Sequence, residues 1–193
     1  MKRQFSVRAP VPLLAGLTLL LAFDGTGLAR LSLGCALLHE AGHVLAFWLL
    51  TRRLPRLSAS FTGLALQLDG TALPPARENL LLLAGPAVNL LAAGIALLLA
   101  LHRAAYGRYF FAAENLCMAF FNLLPIGFLD GGRLLANCLG PQNQRFARAA
   151  GLLCCALLAA AAALLLQKSG FRGADALFFC LLVLVLCARV LRE

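Results

Sequence analysis

The residues in this sequence whose types and spacing could carry out chemistry are His39, Glu40 and His43, arranged as His-Glu-x-x-His. An α-helix turns once in about 3.6 residues, so the two histidines would lie one turn apart on the same face. Two neutral imidazoles at this spacing can share one Zn²⁺, and a glutamate beside them can accept a proton from a water molecule that the metal activates. The spacing therefore predicts part of a hydrolytic zinc site.

The segment around these three residues is apolar from Leu28 to Leu50. Ionisable side chains within a helix of hydrocarbon length are costly unless they face a protein interior or a wet cavity, so their presence indicates a functional site. A structural alternative is that they join helices through hydrogen bonds, as polar groups in membrane proteins do. Two histidines and a carboxylate are an expensive substitute for serine or asparagine, so a metal site is favoured provided that a third protein ligand exists.

The composition indicates a multi-pass membrane protein. Of the 193 residues, 62% are hydrophobic and 13% are charged, whereas soluble domains average about 45–50% and about 25%. The formal net charge of +9 does not imply nucleic acid, because basic residues in short loops orient helices and contact anionic lipid. The seven cysteines form no Cys-x-x-Cys pair, which argues against a disulfide framework. Cys35, one turn before His39, is expected to be a small packing residue rather than a ligand.

Apolar segments predict an all-α polytopic protein with about six transmembrane helices. The basic N-terminus followed by an apolar run is similar to a cleavable signal, but no small-residue cleavage site follows, and we interpret the run as a short first span. Segments of about 20 residues suit a hydrocarbon core of about 30 Å. We expect residues 1–193 to form a single integral membrane domain. The predicted spans are 11–23, 28–50, 79–101, 109–126, 149–166 and 176–191.

The distribution of basic residues predicts the orientation of these spans. The N-terminus, the second and fourth loops and the C-terminus hold twelve of the seventeen Lys and Arg residues. Because basic loops stay in the cytoplasm, both termini are predicted to be cytoplasmic, with the protein in the cell membrane. The second span then runs inwards, which places His39 and His43 at mid-membrane or nearer the cytoplasm.

The loop between spans two and three is too polar to cross a membrane. Leu64, Leu66 and Leu68 alternate with less apolar residues, and Asp69-Gly70 is a turn signal. We therefore expect a small membrane-associated β-hairpin between these spans. An irregular amphipathic loop is the alternative.

A third metal ligand is predicted where the fourth span ends. Pro125 should end or kink the helix, and the pair Gly131-Gly132 lets the backbone turn sharply at Asp130. The predicted topology puts this turn on the cytoplasmic side, at the depth of the two histidines. Asp130 could instead cap a following helix from Gly131 to Cys138, but the shared depth favours a ligand. Two imidazoles and one carboxylate leave a catalytic zinc with an open position for water.

These motifs together resemble those of the site-2 protease family of intramembrane zinc metalloproteases. His-Glu-Ala-Gly-His at 39–43 stands in one span, and Asn-Leu-Leu-Pro-Ile-Gly-Phe-Leu-Asp-Gly-Gly at 122–132 follows in a later one. Gly-Pro-Ala-Val-Asn at 85–89 is similar to a further family motif. The resemblance covers about residues 28–140, the catalytic core. The size and the six-span plan are most similar to the compact subgroup that includes the sporulation stage IV factor B proteases.

The resemblance implies a catalytic centre with one zinc ion per chain. The zinc ligands are expected to be His39, His43 and Asp130, and Glu40 is expected to act as general base and then as general acid.

The resemblance also implies a substrate-binding region. Asn122 and Asn89 are expected to be polar groups near the scissile bond. The hairpin, with Leu64 and Leu66, is expected to hold the substrate as an added β-strand, which would replace the backbone hydrogen bonds that a helical substrate loses.

The predicted function is zinc-dependent intramembrane endopeptidase. Its substrate would be a membrane-tethered protein, such as a pro-sigma factor or another transcription regulator. The lipid bilayer and a regulatory membrane partner are also expected to contact the protein, and nucleic acid is not. One alternative is a catalytically inactive relative that acts as a membrane scaffold or binds partners; the intact ligands and base argue against it. The other is a zinc or proton transporter, which would show paired half-repeats, and 1–96 and 97–193 share no motif.

Overall fold

The computed structural model describes residues 5–7, 18, 21–60, 63–67, 73–169 and 174–190. These residues form α-helices joined by short connections, together with one sheet of three short strands. The chain divides into two compact units, Met1–Phe121 and Asn122–Glu193.

The first unit is built around two long helices that pack against each other. Its elements in chain order are β1 (Phe5–Val7), α1 (Leu28–Thr51), β2 (Arg56–Ser60), β3 (Gly63–Gln67), α2 (Pro75–His102) and α3 (Tyr106–Asn122). Helices α1 and α2 correspond to the predicted spans 28–50 and 79–101. Helix α3 ends before the predicted limit at Ile126, because Pro125 has no N–H to donate to the carbonyl of Phe121 and its ring would clash with that carbonyl.

Helix α1 begins at a turn that Asp24 stabilises. Gly27 precedes the helix with a φ of 77°, a left-handed conformation that glycine adopts without steric cost. The Asp24 carboxylate accepts hydrogen bonds from the backbone N–H groups of Ala29 (3.3 Å) and Arg30 (3.1 Å), and from Nε of Arg30 (3.1 Å). Burial of this carboxyl works to raise its pKa, but the hydrogen bonds from Arg30 and Ala29 outweigh burial, so the pKa of Asp24 is lowered.

Helices α1 and α2 approach each other closely at Gly42. A Cβ atom added to Gly42 would lie 2.7 Å from the carbonyl oxygen of Ala84 and 3.0 Å from Cγ2 of Val88. Only a residue without a side chain fits this contact, and small residues at helix interfaces are typical of membrane proteins. The contact brings α1 against the surface of α2 at the position of the His-Glu-x-x-His motif.

The strands form a sheet in the order β1-β2-β3. Strands β2 and β3 are antiparallel, with Leu57 opposite Leu66 and Ser60 opposite Gly63. The predicted turn at Asp69-Gly70 lies outside the described residues, and the pairing of β2 with β3 ends at Ser60 and Gly63. Strand β1 pairs with β2 in parallel, which the sequence analysis did not predict, because three residues are too few to show an alternating pattern.

The second unit contains the turn after α3 and three helices. They are α4 (Asp130–Leu139), α5 (Gln144–Ser169) and α6 (Ala174–Val190), with a 3₁₀ turn at Pro141–Asn143 before α5. Helix α4 packs against α5, and α5 packs against α6. Added Cβ atoms at Gly131 and Gly132 would overlap the carbonyls of Leu123 and Ile126. The first turn of α4 therefore lies directly against the turn that contains Pro125.

Among the described residues, three helical segments are long and apolar enough to cross a membrane. They are Leu28–Thr51, Pro75–His102 and Pro141–Lys168, with mean hydropathies of 1.4, 2.1 and 2.5. Helix α2 buries small residues such as Ala93 (0% exposed) and exposes large apolar ones such as Leu91 (64%) and Leu98 (62%). This pattern suits a helix whose outer face meets lipid, and it indicates a membrane protein.

The count of six spans stays a prediction. The fourth and sixth predicted segments form helices α3 and α6, of 17 residues each, which are shorter than the three segments above. The predicted first span over 11–23 lies largely outside the described residues.

Candidate metal centre

Helix α1 presents His39 and His43 on its buried face. Their side chains are 6% and 5% exposed, and the Nε2 atoms of the two rings are 3.1 Å apart. The rings meet edge to face, with an interplanar angle of 82°. The helical spacing predicted from the sequence therefore brings the two ring nitrogens together on one side of the helix.

Helix α2 holds the other nitrogen of each ring. His43 Nδ1 is 2.8 Å from the carbonyl oxygen of Leu81, and His39 Nδ1 is 2.8 Å from Oδ1 of Asn89. A carbonyl oxygen only accepts, so Nδ1 of His43 carries the hydrogen and its Nε2 has a lone pair. This arrangement fixes the tautomer that a metal ligand requires, since metal-binding histidines donate their other N–H to a neighbouring oxygen.

Gly85 lies between these two contacts on the same face of α2. Leu81, Gly85 and Asn89 are four residues apart along the helix, so they follow one another on one side. A Cβ atom at Gly85 would overlap Nε2 of His43 and would lie 2.8 Å from Cε1 of His39. The imidazoles therefore rest directly on the backbone of α2, and Gly85 is the residue that permits it.

The pair of Nε2 atoms has the spacing that a tetrahedral zinc ion requires. Zn–N bonds of about 2.0–2.1 Å in a tetrahedron separate two ligand nitrogens by about 3.3 Å, close to the 3.1 Å observed. Two nitrogen lone pairs at this distance repel each other unless a cation or a shared proton lies between them. The donor set therefore fits a metal ion.

Asp130 is the first residue of α4. Leu129 is the N-cap of this helix and no side-chain hydrogen bond caps it, so Asp130 does not occupy the capping position that we considered as its alternative role. Asp130 belongs to the second unit and the two histidines belong to the first, so the role of Asp130 as the third ligand stays a prediction. Two imidazoles and a carboxylate are a ligand set found in catalytic zinc sites.

Glu40 follows His39 on α1 and is half-buried. It lines a groove of about 460 Å³ whose other walls are apolar. The remaining lining residues are Leu37, Ala41, Val44, Leu45, Trp48 and Leu54. Glu40 therefore places a carboxylate in a groove whose other lining residues suit an apolar segment of a substrate.

Two of the predicted substrate-binding residues lie on helices, and the other two lie in strand β3. Asn89 is fully buried on α2, and Asn122 is half-buried at the end of α3. Leu64 and Leu66 lie in β3, opposite Ala59 and Leu57 of β2. The predicted contacts of these four residues with a substrate stay predictions.

One polar residue of this region was not predicted from the sequence. Asn115 on α3 is 0% exposed and bonds to Asn89. Its signal in the sequence was an asparagine within an apolar helical segment, and such a residue seldom lies in a membrane helix without a partner.

Comparisons with known proteins extend these observations. Residues 102–165 match the family model of peptidase family M50; this stretch contains Asn122 and Asp130 but not the two histidines. The fold is similar to that of a site-2 protease from Methanocaldococcus jannaschii, with a TM-score of 0.60, 19% identity and coverage of 94% of this chain and 84% of that chain. No curated protein matches the chain.

Proposed function

We propose that the chain belongs to the site-2 protease family, which the family-model match and the shared fold support. From this premise, we propose that it is a zinc-dependent intramembrane endopeptidase. It hydrolyses a peptide bond in or near the transmembrane segment of a membrane-tethered protein. The observation that carries the proposal is the pair of buried Nε2 atoms of His39 and His43, which are 3.1 Å apart. His39, His43 and Asp130 are the zinc ligands in this proposal.

Glu40 supplies the proton transfer. Zinc, when bound, lowers the pKa of a coordinated water to about 7 and polarises a carbonyl. Glu40 is adjacent to a proposed ligand and lines an open groove, so it accepts the proton of the attacking water and returns it to the leaving amine.

Strand β3 provides a place for the substrate chain. Among the described strands it lies at one edge of the order β1-β2-β3, so an extended segment can add to it through backbone hydrogen bonds. Leu64 and Leu66 are the residues of β3 that we assign to substrate binding, and we assign Asn122 to the region near the scissile bond. The backbone of a substrate helix must unwind before hydrolysis, and pairing with β3 replaces the hydrogen bonds that it loses.

The membrane arrangement completes the proposal. The chain crosses the cell membrane about six times with both termini in the cytoplasm, as the distribution of Lys and Arg predicts. The substrate class extends to membrane-tethered transcription regulators, on the resemblance to the sporulation subgroup.

The test is cleavage of a membrane-embedded reporter by the purified protein in liposomes. We expect wild-type cleavage to stop on chelation with 1,10-phenanthroline and to return when zinc is added. Glu40→Gln should lower the rate by at least about a thousandfold, since it removes the base. Cleavage that continues unchanged in the chelator or in Glu40→Gln would contradict the proposal, and bound zinc without cleavage of any reporter would favour a partner-binding relative.

A further inference from the structure

We propose that Asn115 is a positioning residue that fixes the orientation of His39 through the side chain of Asn89. This inference rests on the proposed function, because it assigns a role to Asn115 in the preparation of a zinc ligand. It concerns only residues of the first unit.

The three side chains form a continuous hydrogen-bonded relay across three helices. Nδ1 of His39 on α1 is 2.8 Å from Oδ1 of Asn89 on α2. Nδ2 of Asn89 donates to Oδ1 of Asn115 on α3 at 2.8 Å. Both asparagines are 0% exposed, so water does not compete for these bonds.

Two backbone carbonyls determine the direction of the relay. Nδ2 of Asn115 donates to the carbonyl oxygen of Phe111 at 2.8 Å, and a carbonyl only accepts. Oδ1 of Asn115 must therefore face Asn89, which presents its own Nδ2. The carbonyl of Cys35 accepts a further hydrogen bond from Nδ2 of Asn89, at 3.3 Å, and supports the same orientation.

The direction of the relay determines the tautomer of His39. With both hydrogens of its amide directed elsewhere, Asn89 offers only Oδ1 to the imidazole, and Nδ1 of His39 must carry a hydrogen. Its Nε2 then presents a lone pair to Nε2 of His43, 3.1 Å away. The relay thus prepares the nitrogen that the proposed zinc site uses.

The two histidines depend on different kinds of support. His43 donates to a backbone carbonyl, that of Leu81, which no side-chain substitution removes. His39 depends on the amide of Asn89, which can turn over unless its other bonds prevent it. Asn115 is therefore expected to matter for His39 and not for His43.

Cys35 completes the relay on α1. Its Sγ accepts the second hydrogen of Asn115 Nδ2 at 3.0 Å, and the residue is 0% exposed. The thiol therefore orients Asn115, in addition to the packing role expected from the sequence.

If Asn115 had only a structural role, the same hydrogen bonds between buried groups would be present. The test therefore needs a readout that is specific to His39. The experiment compares Asn115→Leu with wild type and with Leu116→Ala, a neighbouring change on α3 that removes a packing side chain and leaves the relay intact. The zinc dissociation constant is measured by competition with a chelator, and the histidine tautomers of the metal-free proteins are measured by ¹⁵N NMR.

We expect Asn115→Leu to weaken zinc binding by about 10–100-fold, as loss of support to a ligand does. The ¹⁵N spectrum should show His39 as a mixture of tautomers while His43 keeps hydrogen on Nδ1. Leu116→Ala should leave both readouts within about twofold, because it changes no bond to a ligand. Wild-type zinc affinity and an unchanged His39 tautomer in folded Asn115→Leu would overturn the proposal.

Asn89→Asp provides a second variant if Asn115→Leu does not fold. Its carboxylate still accepts from Nδ1 of His39 but cannot donate to Asn115 or to Cys35. We expect the His39 tautomer to persist and zinc affinity to stay within about tenfold of wild type; a lost tautomer would contradict the relay. Failure of wild type itself to bind zinc would refute the proposed function, which separates that failure from a failure of the relay.

Discussion

At the scale of single residues, helix α2 orients the two histidines of the proposed metal site although it supplies no proposed ligand. The carbonyl of Leu81 and the amide of Asn89 bind the Nδ1 atoms of the two histidines, and Gly85 leaves room for both rings between them. The Gly-Pro-Ala-Val-Asn motif therefore has a physical explanation. Its first residue allows close approach, and its last residue binds a histidine.

Substitution of Gly85 should damage metal binding specifically. In Gly85→Ala the new methyl group would overlap the His43 ring, so we expect zinc affinity to fall by about 10–100-fold, measured by chelator competition. Gly94→Ala is the matched control on the same helix, because an added Cβ there meets no atom within 4 Å. Equal zinc affinity in the two variants would show that the histidines do not rest on α2 as described.

The sequence predicted His39 and His43 as a pair because helical periodicity alone decides which residues share a face. It did not predict Asn115, since the face of α3 that meets α2 is decided by packing between distant segments. The capping alternative for Asp130 could not be resolved from the sequence either, because the start of α4 depends on backbone dihedral angles at Leu129.

At the scale of elements, the three described strands form a sheet with two edges. The order β1-β2-β3 leaves β3 at one edge and β1 at the other. Long apolar segments predicted α1 and α2 closely. The pairing of β1 was not predictable, because it joins residues about 50 positions apart and such contacts leave no local pattern.

Proline in β3 should slow cleavage without loss of metal. Leu66→Pro disrupts the backbone of β3, to which we propose the substrate adds, so the rate on a reporter should fall about tenfold or more, since each backbone hydrogen bond contributes about 1 kcal/mol. Ser6→Pro places the same change at the opposite edge, in β1, and should have a smaller effect. If both variants cleaved at the wild-type rate with full zinc content, β3 would have no part in substrate binding.

At the scale of the whole molecule, the composition and the helices agree on a membrane protein. Three segments of the described chain can cross a bilayer, and the large apolar side chains of α2 face outwards. The hydrophobic fraction of 62% predicted this class because a soluble chain cannot bury so much apolar surface. The count of six spans stays a prediction, because α3 and α6 have 17 residues each and the first predicted span lies largely outside the described residues.

The central claim is that His39, His43 and Asp130 hold one zinc ion, and the most direct measurement is zinc per chain in detergent-purified protein. Wild type and Glu40→Ala should each contain about one zinc, since Glu40 is not a ligand in this account. Asp130→Ala should contain much less, because removal of one of three protein ligands weakens a zinc site strongly. Folded wild type without zinc, or Asp130→Ala with the full wild-type content, would contradict the account.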